Sequence, residues 1–305
     1  MTEPASPPAP QKGAAFGLVV GSIVFGLGSI IVAKVPVGSY AIAFWRLAVA
    51  AAVFLLLARR FGQKFPRGRQ AKNRALAAGL FLALDLALWH ESIRAVGPGI
   101  STVLNCLQIF WLAAIGLIWF GERLSRLQAF SLVLAVAGVA VIGSPEFGHN
   151  QNALWGFASG LLSGMMLSVS MVFVRRAQQA GPVAIFPLMF LISVGGMALL
   201  LPLSLLFDFG RMFPDTWAQA GWIVVYGAVM QCLAWGLIAY SIPLLSLSLT
   251  GLLLLCEPVA ALVIDSSFLG KDISPLQWAG AAVTMLAIYL GSLKPSERQP
   301  ETTEP

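Results

Sequence analysis

The chain has 305 residues, of which 58% are hydrophobic and only 10% are charged, with a formal charge of +6. A soluble domain carries about 25% charged residues, and a mean hydropathy of +0.83 leaves too few charges to cover so large an apolar content in water. A cytosolic globular enzyme, a disordered chain and a nucleic-acid-binding module are thereby excluded, and an integral membrane protein with many helices is left.

Residues 1–12, MTEPASPPAPQK, are polar and Pro-rich and lack the apolar h-region of a cleavable signal. They are expected to be a disordered cytoplasmic N-terminus, with the first span acting as its own uncleaved insertion signal. Ten predicted spans follow, at about 13–33, 38–58, 75–95, 99–120, 127–143, 153–174, 182–206, 217–239, 245–268 and 275–293. Each apolar run is continuous over about twenty residues, which selects helices over the shorter, alternating strands of a barrel. The longest connection runs through RRFGQKFPRGRQAKNR after the second span, and the polar residues 294–305 form a tail. Cys106, Cys232 and Cys256 lie in apolar runs without metal-ligand spacing, so they are expected as small buried hydrophobes.

Lysine and arginine set the expected orientation. On the side bearing the N-terminus lie Lys12, Arg59, Arg60, Lys64, Arg67, Arg69, Lys72, Arg74, Arg123, Arg126, Arg175, Arg176, Lys294 and Arg298. The other side holds Lys34, Arg94, Arg211 and Lys271, and Arg46 lies within a span. Fourteen against four predicts that both termini are cytoplasmic.

The two halves repeat. LWHESI at 88–93 matches LIAYSI at 237–242, and at the same offset FGERLSRLQ at 120–128 matches LGKDISPLQ at 269–277. The first span of each half pairs at a different offset, FG at 16–17 with WG at 155–156, Gly21 with Gly160 and Ser29 with Ser168. Five spans is an odd number, so the second copy must enter the membrane from the opposite side. The predicted fold is thus all-α and integral to the membrane, ten transmembrane helices as two inverted five-helix repeats, 13–143 and 153–293. Secondary transporters recurrently use such repeats and place the substrate site at the repeat interface near the midplane.

Each repeat closes with a glycine turn, FGERLS or LGKDIS, and then a Gly-rich final helix, and CEPVAALV at 256–263 places a Glu-Pro element in the penultimate helix. On these residues the chain resembles the EamA repeats of the drug/metabolite transporter superfamily, from about 13 to 293, and is similar to the bacterial amino-acid exporters of the YddG type. The resemblance implies a ten-helix basket in the bacterial inner membrane that exports aromatic and other neutral amino acids, or other small metabolites. The first repeat departs from the pattern: Gln108 stands opposite Glu257, and no proline follows it.

Polar groups inside spans are costly and need a partner or an aqueous cavity. Glu257, near mid-membrane by its depth in the ninth span, reads either as a contact for a substrate amine or proton carrier, or as a carboxyl holding two helices together. The fourth span puts Ser101, Asn105 and Gln108 on one face, and the ninth repeats this with Thr250 and Glu257. These stripes line a central cavity or serve as interhelical hydrogen-bonding glue. Asp85, Trp89 and Ser92 share a face of the third span, with His90 and Glu91 beside it toward the outer mouth, and Gln231 and Trp235 share a face of the eighth. Trp89, Trp111 and Trp235 supply the aromatic end of such a site or ordinary packing. Ser159, Ser163, Met166 and Ser170 form a face of the sixth span polar enough to line a path, while Gly13, Gly17, Gly21 and Gly156, Gly160, Gly164 make flat stripes for close helix approach. Arg46 and Asp85, at comparable depth, are expected to form a structural ion pair, the alternatives being an arginine that snorkels outward or one that binds a substrate carboxylate.

No HExxH, GxGD or P-loop pattern occurs, so an enzyme and direct use of ATP are not expected, and neither a charged ring nor a carbonyl filter suggests a channel. The expected partners are a small-molecule substrate, the lipid bilayer and, at Glu257, protons. No cofactor, metal, nucleic acid or obligate protein partner is expected.

Overall fold

The structure is a computed structural model, and it describes residues 9–108, 126–181, 183–241 and 256–292, together with residues 110, 111, 114, 115 and 118. Among these residues every regular element is helical. The helices are α1 (Ala9–Lys34), α2 (Ser39–Arg60), α3 (Arg69–Val96), α4 (Pro98–Cys106), α5 (Arg126–His149), α6 (Ala153–Gln179) and α7 (Ile185–Phe207). A short 3-10 turn (Phe209–Arg211) follows, then α8 (Trp217–Val225), a π-helical stretch (Tyr226–Ala234), α9 (Trp235–Ser241), α10 (Cys256–Phe268) and α11 (Pro275–Ser292).

Six helical segments among the described residues are long and apolar enough to cross a membrane: Gly13–Lys34, Ser39–Arg60, Arg69–Val96, Ala153–Gln179, Ile185–Phe207 and Trp217–Ile238. They coincide with six of the ten predicted spans. The predicted spans at 99–120 and 245–268 lie in part outside the described residues.

The α3–α4 junction shows how the sequence turns the chain. Gly97 sits at φ +91°, a left-handed conformation open to glycine without steric cost, and Pro98 follows at the first turn of α4, where its missing N–H is not needed.

Packing is cross-wise. α3 packs chiefly against α6, while α1 packs against the π-helical stretch and α9. By the repeat offsets each contact joins the first helix of one half to the third of the other. α4 meets α10 and α5 meets α11, each a pairing of repeat-related helices. α7 bridges α2 and α3.

Small residues allow these approaches. A Cβ added at Gly79 would lie 2.0 Å from the Ile192 carbonyl oxygen, and one at Gly21 would lie 2.9 Å from that of Ala234. One at Gly160 would meet Leu104 Cδ1 at 2.8 Å. In lipid, where exclusion from water no longer drives helices together, contact of this kind is a principal source of association. The predicted glycine stripes are therefore packing surfaces from Gly17 and Gly156 onward, and Gly13 meets nothing within 4 Å.

The basic residues gather at opposite ends. Arg74 Nη1 donates to the Arg176 carbonyl at 2.9 Å, joining the two basic segments of α3 and α6. At the other end, Arg94 donates to the Val37 carbonyl, and Lys271 Nζ donates to that of Val96 at 2.5 Å. Asp208 closes the same end. Its Oδ2 accepts from the backbone N–H groups of Tyr40 at 2.7 Å and Ala41 at 3.1 Å, and so caps α2 from 167 residues away.

Candidate functional site: a central cavity

A cavity of about 90 Å³ lies where the two halves meet. Its wall takes Phe25 from α1, Arg46 from α2, Asp85 and Trp89 from α3, Asn105 and Cys106 from α4, and Gln108 just beyond. Leu167 and Met171 of α6, Gln231 of the π-helical stretch, Trp235 of α9 and Glu257 of α10 also line it, with Leu82, Leu86 and Ile238 between them. Every helix that lends a polar group also buries an apolar face against its neighbours, so the polar atoms are turned inward by packing.

Three ionisable side chains, Arg46, Asp85 and Glu257, share this space. Arg46 is 1% exposed and held on several sides. Its Nε donates to Gln231 Oε1 at 2.7 Å and its Nη1 to the Tyr226 hydroxyl at 2.6 Å. Its guanidinium carbon lies 4.6 Å from the ring centre of Tyr226 and 4.9 Å from that of Phe25, within cation–π range. Asp85 Oδ1 accepts from Asn105 Nδ2 at 2.8 Å, and the same nitrogen donates to Ser163 Oγ at 2.7 Å. The Ser163 hydroxyl itself donates to the Gly160 carbonyl at 2.9 Å, and α3, α4 and α6 are tied through the Asn105 amide. Phe25 stacks on Trp89, centroids 6.1 Å apart, and lies tilted against Trp235 at 6.0 Å. Two buried atoms of wall residues, Trp89 Nε1 and Gln108 Oε1, have no hydrogen-bond partner among the described residues. An unmet buried group costs about 1–3 kcal/mol, so these two atoms are unusual in the wall.

Of the residues singled out in the sequence, Glu257, Gln108, Asn105, Trp89, Asp85, Gln231 and Trp235 come together at this cavity. Thr250 lies outside the described residues. Several expectations need correction. Ser101 is not in the wall: its hydroxyl donates to the Trp89 carbonyl at 3.3 Å and joins α4 to α3. Ser163 stands behind Asn105 and orients it. The serine face of α6 is no path, because the hydroxyls of Ser159, Ser163 and Ser170 are buried and donate to backbone carbonyls. Trp111 lies off the cavity wall.

The expected Arg46–Asp85 ion pair is not formed. The ion pair found among the described residues is Arg211–Asp208 at 3.3 Å. Arg46 gives its Nε to Gln231 and its Nη1 to Tyr226, and Asp85 accepts from Asn105. The cause is the π-helical stretch. In an α-helix, residues five apart are turned roughly 140° from each other. Hydrogen bonding from i to i+5 brings such residues to successive turns, and Tyr226 and Gln231 then reach Arg46 together. Sequence periodicity assumed an α-helix there, which hid Tyr226. His90, expected near the outer mouth, is fully buried between the Ser39 carbonyl and the Tyr226 hydroxyl.

Comparison with known proteins agrees with this architecture. A WAT1-related chloroplastic protein of Arabidopsis thaliana is 25% identical over 83% of this chain, which spans 62% of that relative's length. An uncharacterized transporter of Synechocystis sp. is 24% identical over 77% of this chain and 76% of its own. The crystal structure of one protein superposes with a TM-score of 0.59 at 16% identity, over 92% of this chain and 96% of the other, a likeness of fold. Residues 12–144 and again 154–293 each match the EamA-like transporter family. Two family matches that together span nearly the whole sequence leave one assignment: the chain belongs to the EamA-like transporter family.

Proposed function

We propose that this chain is a multi-pass secondary transporter that carries amino acids, aromatic and other neutral ones, or similar small metabolites out across a bacterial inner membrane by alternating access. The observation that carries the reading is the chemistry of the cavity: one guanidinium, Arg46, faces the same space as two carboxyl groups, Asp85 and Glu257, beside Phe25, Trp89 and Trp235. A zwitterion needs a cation for its carboxylate and an anion for its amine, and an aromatic or apolar side chain needs an apolar wall. Among the described residues nothing hydrogen-bonds the Glu257 carboxyl, which suits it to a substrate amine or to a proton carried alongside.

The cross-wise packing supports alternating access. The wall is drawn from both halves, so rocking one against the other opens the same groups to either side. Ten helices in two inverted repeats, 13–143 and 153–293, with both termini cytoplasmic, is the arrangement proposed. The lysine and arginine bias supports the orientation. Export and the preference for aromatic substrates rest on the resemblance to amino-acid exporters.

The test is transport by the purified protein in liposomes against a panel of amino acids, amines and organic acids. Saturable flux with counterflow of neutral amino acids is expected. Ohmic conductance, or saturable flux confined to organic acids, overturns the reading.

A further inference from the structure

We infer that His90 and Tyr226, neither of which lines the cavity, are positioning residues that hold Arg46 as the carboxylate-binding end of the site. This rests on the amino-acid reading above and goes beyond it in assigning how one end of the substrate is selected.

His90 Nδ1 lies 3.1 Å from the Ser39 carbonyl oxygen, which can only accept, so Nδ1 carries the ring proton. His90 Nε2 is then an acceptor, and the Tyr226 hydroxyl, 2.8 Å away, donates to it. With its proton committed, the hydroxyl turns its lone pairs to Arg46 Nη1 at 2.6 Å. The series Arg46, Tyr226, His90, Ser39 thus has one direction, each group donating to the next. All three side chains are at most 1% exposed, so water does not replace a missing member.

The order also has a consequence at the cavity. Gln231 takes Nε and Tyr226 takes Nη1, so the guanidinium plane is set and Nη2 is left without a partner among the described residues. Arg46 lines the cavity, and Nη2 with the remaining Nη1 proton can present the forked donor pair that a carboxylate matches. Packing alone would need only an aromatic ring at 226. The hydroxyl, and an acceptor behind it at 90, are what direction requires. Without that acceptor the Tyr226 proton turns toward the Arg46 N–H groups, and two donors then face each other.

The experiment compares Tyr226→Phe, His90→Leu and His90→Gln with the wild-type chain in proteoliposomes, using phenylalanine and its decarboxylated amine, phenethylamine. Tyr226→Phe and His90→Leu should raise the KM for phenylalanine by about ten- to a hundredfold, the scale of one lost hydrogen bond to a charged group. Maximal flux and the half-saturation for the amine should stay within about twofold of wild type, inside the spread of one neutral contact. His90→Gln supplies an oxygen acceptor for the hydroxyl and should recover most of the loss. Equal shifts for amino acid and amine, no shift for either, or a glutamine variant as impaired as the leucine one each overturn the assignment. Tyr226→Phe deletes a single oxygen and keeps the test when His90→Leu fails to fold. No phenylalanine flux in the wild-type protein overturns the amino-acid reading as well, whereas wild-type flux with undisturbed discrimination overturns only the positioning role.

Discussion

The Asp208 carboxylate ties the start of α2 to the segment after α7, and its removal has a magnitude that can be worked out. It accepts from the Tyr40 and Ala41 backbone N–H groups at 2.7 and 3.1 Å and is 3% exposed. Losing an N-cap acceptor costs about 0.5–2 kcal/mol, and a partly buried charge at a helix terminus adds up to about 2. Its ion pair with Arg211, which is 60% exposed, adds almost nothing. Asp208→Ala is therefore expected to destabilise the chain by about 0.5–4 kcal/mol.

Gly38 supplies the control. A Cβ there would lie 1.9 Å from Asp208 Cγ, although φ −56° and ψ 158° suit alanine. Gly38→Ala must push the carboxylate off the helix end, so it should cost nearly as much as removing the carboxylate. In an Asp208→Ala background the obstacle is gone, and Gly38→Ala should be neutral or stabilising by about 0.4–1 kcal/mol. The pair is thus strongly non-additive. Equilibrium unfolding in mixed micelles, followed by far-UV circular dichroism on the four proteins, measures the coupling. Additive effects, or Asp208→Ala at wild-type stability, would refute the argument.

Other outcomes follow from the cavity and the charge bias. Glu257→Gln keeps the size of the side chain, so expression should be normal while amino-acid flux falls at least about tenfold, the scale of a lost charge-assisted contact; wild-type flux would leave Glu257 a structural group. Arg46→Met should couple to Gln231→Leu by about 0.5–3 kcal/mol in a stability cycle, and more strongly than to Asp85→Leu; the reverse order would restore the direct ion pair. In a cysteine-free background, a cysteine at position 149 should react with an impermeant reagent added outside, and cysteines at 5 or 303 should not. Labelling at either terminus would reverse the proposed orientation.

Much of the architecture was legible in the chain itself. Apolar runs of about twenty residues report helices directly, because a backbone in lipid must satisfy its own hydrogen bonds. The offset between LWHESI and LIAYSI reported the repeat. Inward-facing polar residues were legible for a related reason: a polar group in a span is costly anywhere but at a partner or a cavity. Asp85, Trp89, Asn105, Gln108, Gln231, Trp235 and Glu257 were found in this way, and the structure gathers them.

Which polar groups face the cavity and which face each other was decided only by tertiary structure. Ser101 and Asn105 lie on one face of the same helix, yet Ser101 turns to the Trp89 carbonyl while Asn105 reaches Asp85. Helical periodicity gives a direction around an axis but not what stands there. Arg46 shows the same limit more sharply. Depth along the helices suggested Asp85 as its partner, but the π-helical stretch at Tyr226–Ala234 changes the angular register, and Tyr226 and Gln231 take its place. His90 looked uninformative as a lone histidine and proved to be the acceptor behind Tyr226. The composition of the chain determined that such groups must be satisfied inside the fold. The choice of partner depends on distances of a few ångströms between helices far apart in sequence, and these are set by the packing of the whole bundle.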